Sequence, residues 1–438
     1  MRTWIILLLI LPFSLLAQKK KITLEAIYKN GTFRANSVPG FVEEEISKLV
    51  KADDVIDEKG IKIPLDDVLL SPDRNKLLVF TGREKIYRRS SRAFAYLHDI
   101  ISKKTTKLNT EKLLHSTFSP DGKRIAFVKD NDLFLYEIDG EKLIAITTDG
   151  KWNHIINGNC DWVYEEEFEF TKAYEWSPNG RYIAYYRFDE SNVKEFQFTQ
   201  FDNSYNSPYT YKYPKAGEVN SIVEIHIYEI ATNKKVNTEF EKGDIYIPRI
   251  KWTKEDEQLV VFWMNRHQNT LKLLATNAGT GASRVLYEEK NKYFVEINDD
   301  WMWLRDGKHF LFTSEMHGFR HIYIYSNDGK TRVQLSHGNH EVTEINGVDE
   351  NNRLVYFTMA YPRPMDRNFF VTDYSGKKTF QLTTGEGWHK VELNADFSRY
   401  YDFHSDINTP KSVSFNEITI TKKKMVSTRV LKIVDENT

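Results

Sequence analysis

A single cysteine, Cys160, in 438 residues leaves no partner for an internal disulfide, so the chain must hold its fold by packing. No basic cluster adjoins Cys160 to activate it, which makes it a buried structural residue rather than a reactive thiol. An excess of either charge is also missing. Lys and Arg number 61 against 62 Asp and Glu, and without a basic stripe nucleic acid is not an expected partner. Pro/Gly/Ser-rich linkers and low-complexity tracts are lacking, which favours one large repetitive domain over a string of small ones. Metal motifs are absent as well. His340-Glu341-Val342-Thr343-Glu344 lacks the second histidine of a zinc-protease helix, and His317 and His321 would stand about 13 Å apart on a strand. No metal and no cofactor is expected.

Long apolar runs are confined to the amino terminus. Arg2 is followed by Trp4 to Leu11, then Phe13 to Leu16 and the small residue Ala17. This stretch is too short to span a bilayer of about 30 Å and reads as a secretory signal peptide, residues 1–17, cleaved between Ala17 and Gln18. The protein is therefore expected in the periplasm or outside the cell.

Aromatic residues are abundant, with 24 Tyr and 27 Phe, and they fall in short alternating runs separated by turns, the composition of strands. One phrase recurs: a Ser/Pro/Asp/Asn/Gly turn, a basic residue, then an apolar strand. It stands at Ser71-Pro72-Asp73, Ser119-Pro120-Asp121-Gly122 and Ser177-Pro178-Asn179-Gly180, with degenerate copies around Asp256, Asp306, Asn351 and Asp396. The steps between these markers are 48, 58, 77, 50, 45 and 45 residues. Most lie near the roughly 40 to 50 residues of one four-stranded propeller blade. A second phrase recurs in phase, at Ile146 to Gly150, Leu335 to Gly338 and Leu382 to Gly385. The expected fold is all-β, a β-propeller of seven or eight four-stranded blades. The long step holds an excursion, Glu195 to Asn220, rich in Tyr, Phe, Asn and Ser. Ile22 to Tyr28 carries Leu24, Ile27 and Tyr28 at helical spacing and predicts a short helix with one apolar face, loosely docked and exposed; an extra strand on the first or last blade is the alternative.

The chemistry concentrates in Asp161-Trp162-Val163-Tyr164-Glu165-Glu166-Glu167-Phe168. Adjacent carboxylates repel, so a buried arrangement needs a cation, and a primary ammonium with three donors suits two convergent carboxylates. By themselves these residues read more readily as a solvated acidic helix turn.

This string resembles the double-glutamate motif of dipeptidyl peptidase IV enzymes, as Tyr213-Pro214-Lys215-Ala216-Gly217 resembles a second phrase of that family. Asn265 to Asn269 and Ser314 to Tyr323 are similar to two more. The resemblance implies an eight-bladed propeller in which Glu166 and Glu167 grip the free amino terminus of a peptide, with Glu165 as their neighbour. It also implies that Arg88, in Tyr87-Arg88-Arg89, holds a substrate carbonyl, with Arg89 as the alternative register. A family enzyme adds an α/β-hydrolase domain and releases dipeptides, typically after proline or alanine. No Gly-x-Ser-x-Gly nucleophile elbow occurs in these 438 residues, so no catalytic residue is assigned and the chain alone is expected to be inactive. The expected division is signal peptide 1–17, a helical or connecting segment 18–45 and the propeller 46–438, with the hydrolase absent. The expected partners are peptide amino termini, that hydrolase domain and a second copy in a homodimer. The rival reading is a stand-alone propeller of the cell envelope that binds peptides or proteins.

Overall fold

The recurring turn has a physical basis that the computed structural model makes explicit. It describes residues 22–32, 34, 38, 41, 46, 48–254, 257–421 and 426–435; residues 1–17, expected to be a signal peptide, and Asp256 lie outside the described residues. In each well-formed copy the serine hydroxyl donates to the acidic or amide side chain two residues on. It also accepts the backbone N–H five residues on. Ser119 Oγ lies 2.5 Å from Asp121 Oδ1 and 3.0 Å from Arg124 N, and Ser177 Oγ lies 2.8 Å from Asn179 Oδ1 and 2.9 Å from Tyr182 N. The residue after the acid takes the left-handed region, as Gly122 and Gly180 do at φ +67° and +68°, while Arg74 occupies the same place at φ +60°. Ser119 is fully buried. Ser119→Ala leaves Arg124 N–H without its acceptor and is expected to cost about 1 to 2 kcal/mol, read as a shifted urea midpoint at unchanged slope.

These turns join the first and second strands of successive antiparallel sheets. The described strands form eight sheets: six of four strands, one of five and a two-stranded hairpin. The seven larger sheets are blades over residues 68–107, 114–145, 174–237, 245–290, 302–334, 342–381 and 388–435. The third gains its fifth strand from Ile155–Asn157, which pairs with Tyr182–Asp189. The all-β propeller expected from the repeat is present.

The core is a series of apolar layers between neighbouring blades. Leu78, Phe118 and Phe127 pack between the first and second, and Ala126, Leu133 and Ile183 between the second and third. A larger layer joins the third, fourth and fifth blades. A tyrosine can serve in such a layer by filling it with its ring while its hydroxyl satisfies a carbonyl. Tyr174, fully buried in the third blade, donates to the carbonyl of Ala126 in the second at 2.9 Å. Described residues ahead of the first blade reach both it and the seventh. Phe41 packs on Tyr401 with ring centroids 4.9 Å apart and donates its N–H to Glu392, while Val50, Val55 and Ile63 pack on Leu77 and Val79.

Glu25–Lys29 forms a single π-helical turn, with Leu24 and Tyr28 at 75% and 79% exposure. The expected short helix is there in place of the alternative strand, and its apolar side chains face outward.

Candidate functional site

The carboxylate string forms a helix of six residues, Trp162–Glu167, too short to stand by itself. Anchors from four directions fix it. Asp161 caps it by accepting from Tyr164 N at 2.9 Å, and Ser221 Oγ donates to the same carboxylate at 2.5 Å. Burial pushes the Asp161 carboxyl up, against the opposing effect of these donors. Tyr164 Oη accepts the backbone N–H of Ile247 at 2.9 Å. Arg249 donates to the carbonyl of Phe168 at 2.7 Å while its other nitrogens grip Asp299 at 2.7 and 3.0 Å. The fourth anchor is Glu165, buried at 2% exposure, whose Oε1 accepts the backbone N–H groups of Arg89 at 2.6 Å and Ser90 at 2.8 Å.

The three glutamates are thereby given different surroundings. Successive residues on a helix point about 100° apart, so consecutive carboxylates do not share one face. Glu165 points inward and latches the Tyr87–Ser90 turn of the first blade to the helix. Glu166, at 14% side-chain exposure, pairs with Arg88 Nε at 3.0 Å. Glu167 is exposed and lines a cavity of about 800 Å³. The structure therefore joins Arg88 to Glu166 and places Glu167 on the cavity wall; neither Arg88 nor Glu166 is a lining residue. Arg89 turns to Glu169, at 2.7 Å, so the two arginines of the basic pair engage different carboxylates.

The cavity gathers segments far apart in the chain. The excursion is a hairpin, Glu195–Gln200 with Ser207–Lys212, set between the central strands of the third blade. Phe196 and Tyr211 of that hairpin form one wall, Tyr213 to Ala216 continue it, and Arg266 and Gln268 of the next blade stand opposite. Trp162 meets Tyr213 edge-on with centroids 4.3 Å apart. The Arg266 guanidinium is engaged by Asp244 at 3.0 Å and by the carbonyl of Glu218 at 3.0 Å. Three of the four phrases singled out in the sequence thus converge on one cavity. The fourth, Ser314 to Tyr323, does not line it. His321 in that phrase is a core residue, with Nδ1 3.1 Å from Ser336 Oγ and Nε2 3.1 Å from the Gly338 carbonyl.

Sequence reasoning did not find Arg249, Ser221 or the anchoring duty of Glu165. Ser221 and Arg249 stand alone in the sequence, with partners tens of residues away, and carry no local signal. Cys160 fits its expected place, 4% exposed with Sγ 3.1 Å from the carbonyl of Phe170, and burial pushes its thiol up.

Such an arrangement defines a propeller with an aromatic, carboxylate-bearing cavity beside one of its blades. The family described as "Dipeptidyl peptidase IV (DPP IV) N-terminal region" matches residues 71–411, and the chain belongs to it. Among curated relatives, "Dipeptidyl peptidase 4" of Arthroderma otae is 28% identical over 364 residues, covering 78% of this chain and 47% of the relative. "Probable dipeptidyl-aminopeptidase B" of Phaeosphaeria nodorum is 28% identical over 343 residues, covering 70% of this chain and 37% of the relative. The crystal structure of Porphyromonas gingivalis dipeptidyl peptidase 4 superposes with a TM-score of 0.85 at 29% identity, over 96% of this chain and 62% of that one. A putative dipeptidyl aminopeptidase IV from Bacteroides ovatus shares the fold, with a TM-score of 0.65 at 23% identity over 81% of this chain and 50% of that one. The chain spans about half the length, or less, of these curated relatives.

Proposed function

We propose that this chain is the substrate-recognition and access-gating propeller of an exported, dipeptidyl peptidase IV-like serine exopeptidase, acting on peptide amino termini. The observation that carries the reading is the position of Glu167 on a large aromatic cavity, next in the chain to a Glu166 already paired with Arg88. A peptide ammonium entering that corner meets Glu167, and a charge-assisted hydrogen bond to its carboxylate fixes the amino terminus against the propeller, while the paired Glu166 braces Arg88 beside it. Aromatic walls hold the first side chains by area and geometry. The propeller then acts as a ruler: it sets which peptide bond is presented but breaks none, a contribution of proximity and orientation. The nucleophile, base and oxyanion donors belong to an α/β-hydrolase domain, the catalytic partner on this reading.

The test is binding by the 438-residue chain. Titration with a free Xaa-Pro dipeptide and with its N-acetylated form should show the free amine bound at least tenfold more tightly. Equal affinities would sink the proposal. Because these residues contain no Gly-x-Ser-x-Gly elbow, the same preparation is expected to release no dipeptide from a Pro-containing chromogenic substrate.

A further inference from the structure

Trp162 has a second cavity on its other side. Its volume is about 160 Å³, and Tyr87, Trp152, Trp162 and Glu190 stand on its wall. Trp152 is 53% exposed and lies on the solvent side, whereas Glu190 is 6% exposed. The main chain of Glu190 is fixed, its N–H donating to the His154 carbonyl at 2.8 Å and its carbonyl accepting from Val193 N at 3.0 Å. Its carboxyl, by contrast, has no hydrogen-bond partner and no ion pair among the described residues; its charge is perturbed by burial and by Asp161, Lys212 and Asp189 acting through space.

The neighbouring charged groups do not supply that partner. Lys212 donates to the carbonyls of Val193 at 2.8 Å and Ser191 at 3.4 Å, and its ion pair, at 3.7 Å, is with Glu195. Asp161 is engaged by Tyr164 N and Ser221. Arg92 and Asp130, also on the cavity wall, have partners of their own: Arg92 pairs with Glu84 at 2.8 Å, and Asp130 lies 3.6 Å from Lys129. Lys212 and Arg92 are themselves on the cavity wall, but each is engaged elsewhere, so Glu190 is a buried acid of the wall with no hydrogen-bonded or ion-paired cation among the described residues. The donor set also narrows which cation would fit. A metal ion asks for several converging oxygens; of the three carboxylates on this wall Asp161 and Asp130 are already engaged, which leaves Glu190 with Tyr87, Trp152 and Trp162 and favours an organic cation with an alkyl part over a metal.

We propose that this cavity is a second binding site, for a small organic cation of the primary or methylated amine class, with Glu190 as its counter-ion and Trp152, Trp162 and Tyr87 as its walls. It is separate from the Glu166 and Glu167 corner and does not depend on the function assigned to that corner. The pH dependence has a definite sign. Burial, with Asp161 and Asp189, pushes Glu190 up to about 8 against the pull of Lys212. Below that pH a cation must displace a proton, so affinity rises about tenfold per pH unit up to the Glu190 pKa and then levels.

The probe is methylammonium chloride, titrated into the 438-residue chain and followed by tryptophan fluorescence, with sodium chloride at equal ionic strength as the control. A saturable response that strengthens about tenfold from pH 6 to 7, is lost in Glu190→Gln and is kept in Glu167→Gln is the expected result. No saturable response overturns the proposal. So does a response lost in Glu167→Gln and kept in Glu190→Gln, which would assign the amine to the larger cavity. Should Glu190→Gln fail to fold, the natural chain decides: affinity constant between pH 6 and 8 overturns it.

Discussion

Replacing Glu165 by alanine is expected to lower the unfolding free energy by about 3 to 5 kcal/mol, although the residue touches no ligand in the proposed function. Its buried Oε1 accepts two backbone N–H groups, those of Arg89 and Ser90, 76 and 75 residues away in the chain. Hydrogen bonds to a charged acceptor contribute about 1.5 to 3 kcal/mol each, and alanine leaves both donors unsatisfied. Glu165→Gln keeps an acceptor oxygen at the same place and should cost about half as much. Urea denaturation of the three proteins separates these values, and an alanine variant within about 0.5 kcal/mol of the parent would refute the latch. Binding at the neighbouring corner should weaken too, because the Tyr87–Ser90 turn carries Arg88.

Glu165 also marks where the sequence stops being informative. Three glutamates in a row are chemically identical on paper, and helix phase alone sends one into the core, one to Arg88 and one to the cavity. The resemblance to known peptidases singled out Glu166 and Glu167, but the inward turn of Glu165 depends on Asp161 capping the helix and Arg249 holding its end. The blades were far more legible. Each serine-acid turn satisfies its own backbone within five residues, so the pattern is written locally and repeats after the first strand of a blade. Degenerate copies keep the geometry by other means: Asn394 Oδ1 accepts Arg399 N at 2.9 Å in the seventh blade, where serine served in the second. The contact between the residues ahead of the first blade and the last blade left no such trace. Phe41 meets Tyr401 and Phe415 across more than 350 positions, and nothing near Phe41 in the sequence encodes that. Glu190 was invisible for a similar reason, since its isolation is a property of the surrounding wall.

Glu167→Gln is expected to weaken binding of a free Xaa-Pro dipeptide by at least about thirtyfold, the lower end of the 2 to 5 kcal/mol typical when one member of a hydrogen-bonded charge pair is neutralised. Glutamine is isosteric, so the melting temperature should stay within a few degrees and the loss can be read as lost charge. Arg88→Ala supplies the contrast. Its guanidinium is 72% exposed, so its pair with Glu166 contributes less than about 1 kcal/mol to folding, yet its removal should weaken dipeptide binding if the arginine holds the first carbonyl. The pH dependence gives an independent check. A peptide α-amino group loses its proton near pH 8, so binding at the glutamate corner should fall as pH rises through that range. At Glu190 the probe amine stays protonated and the protein group titrates instead, which makes affinity rise towards pH 8. Opposite slopes for two amine ligands on one chain would place them at two sites. A dipeptide affinity that increases from pH 7 to 9 would mean that the charged terminus is not what Glu167 recognises.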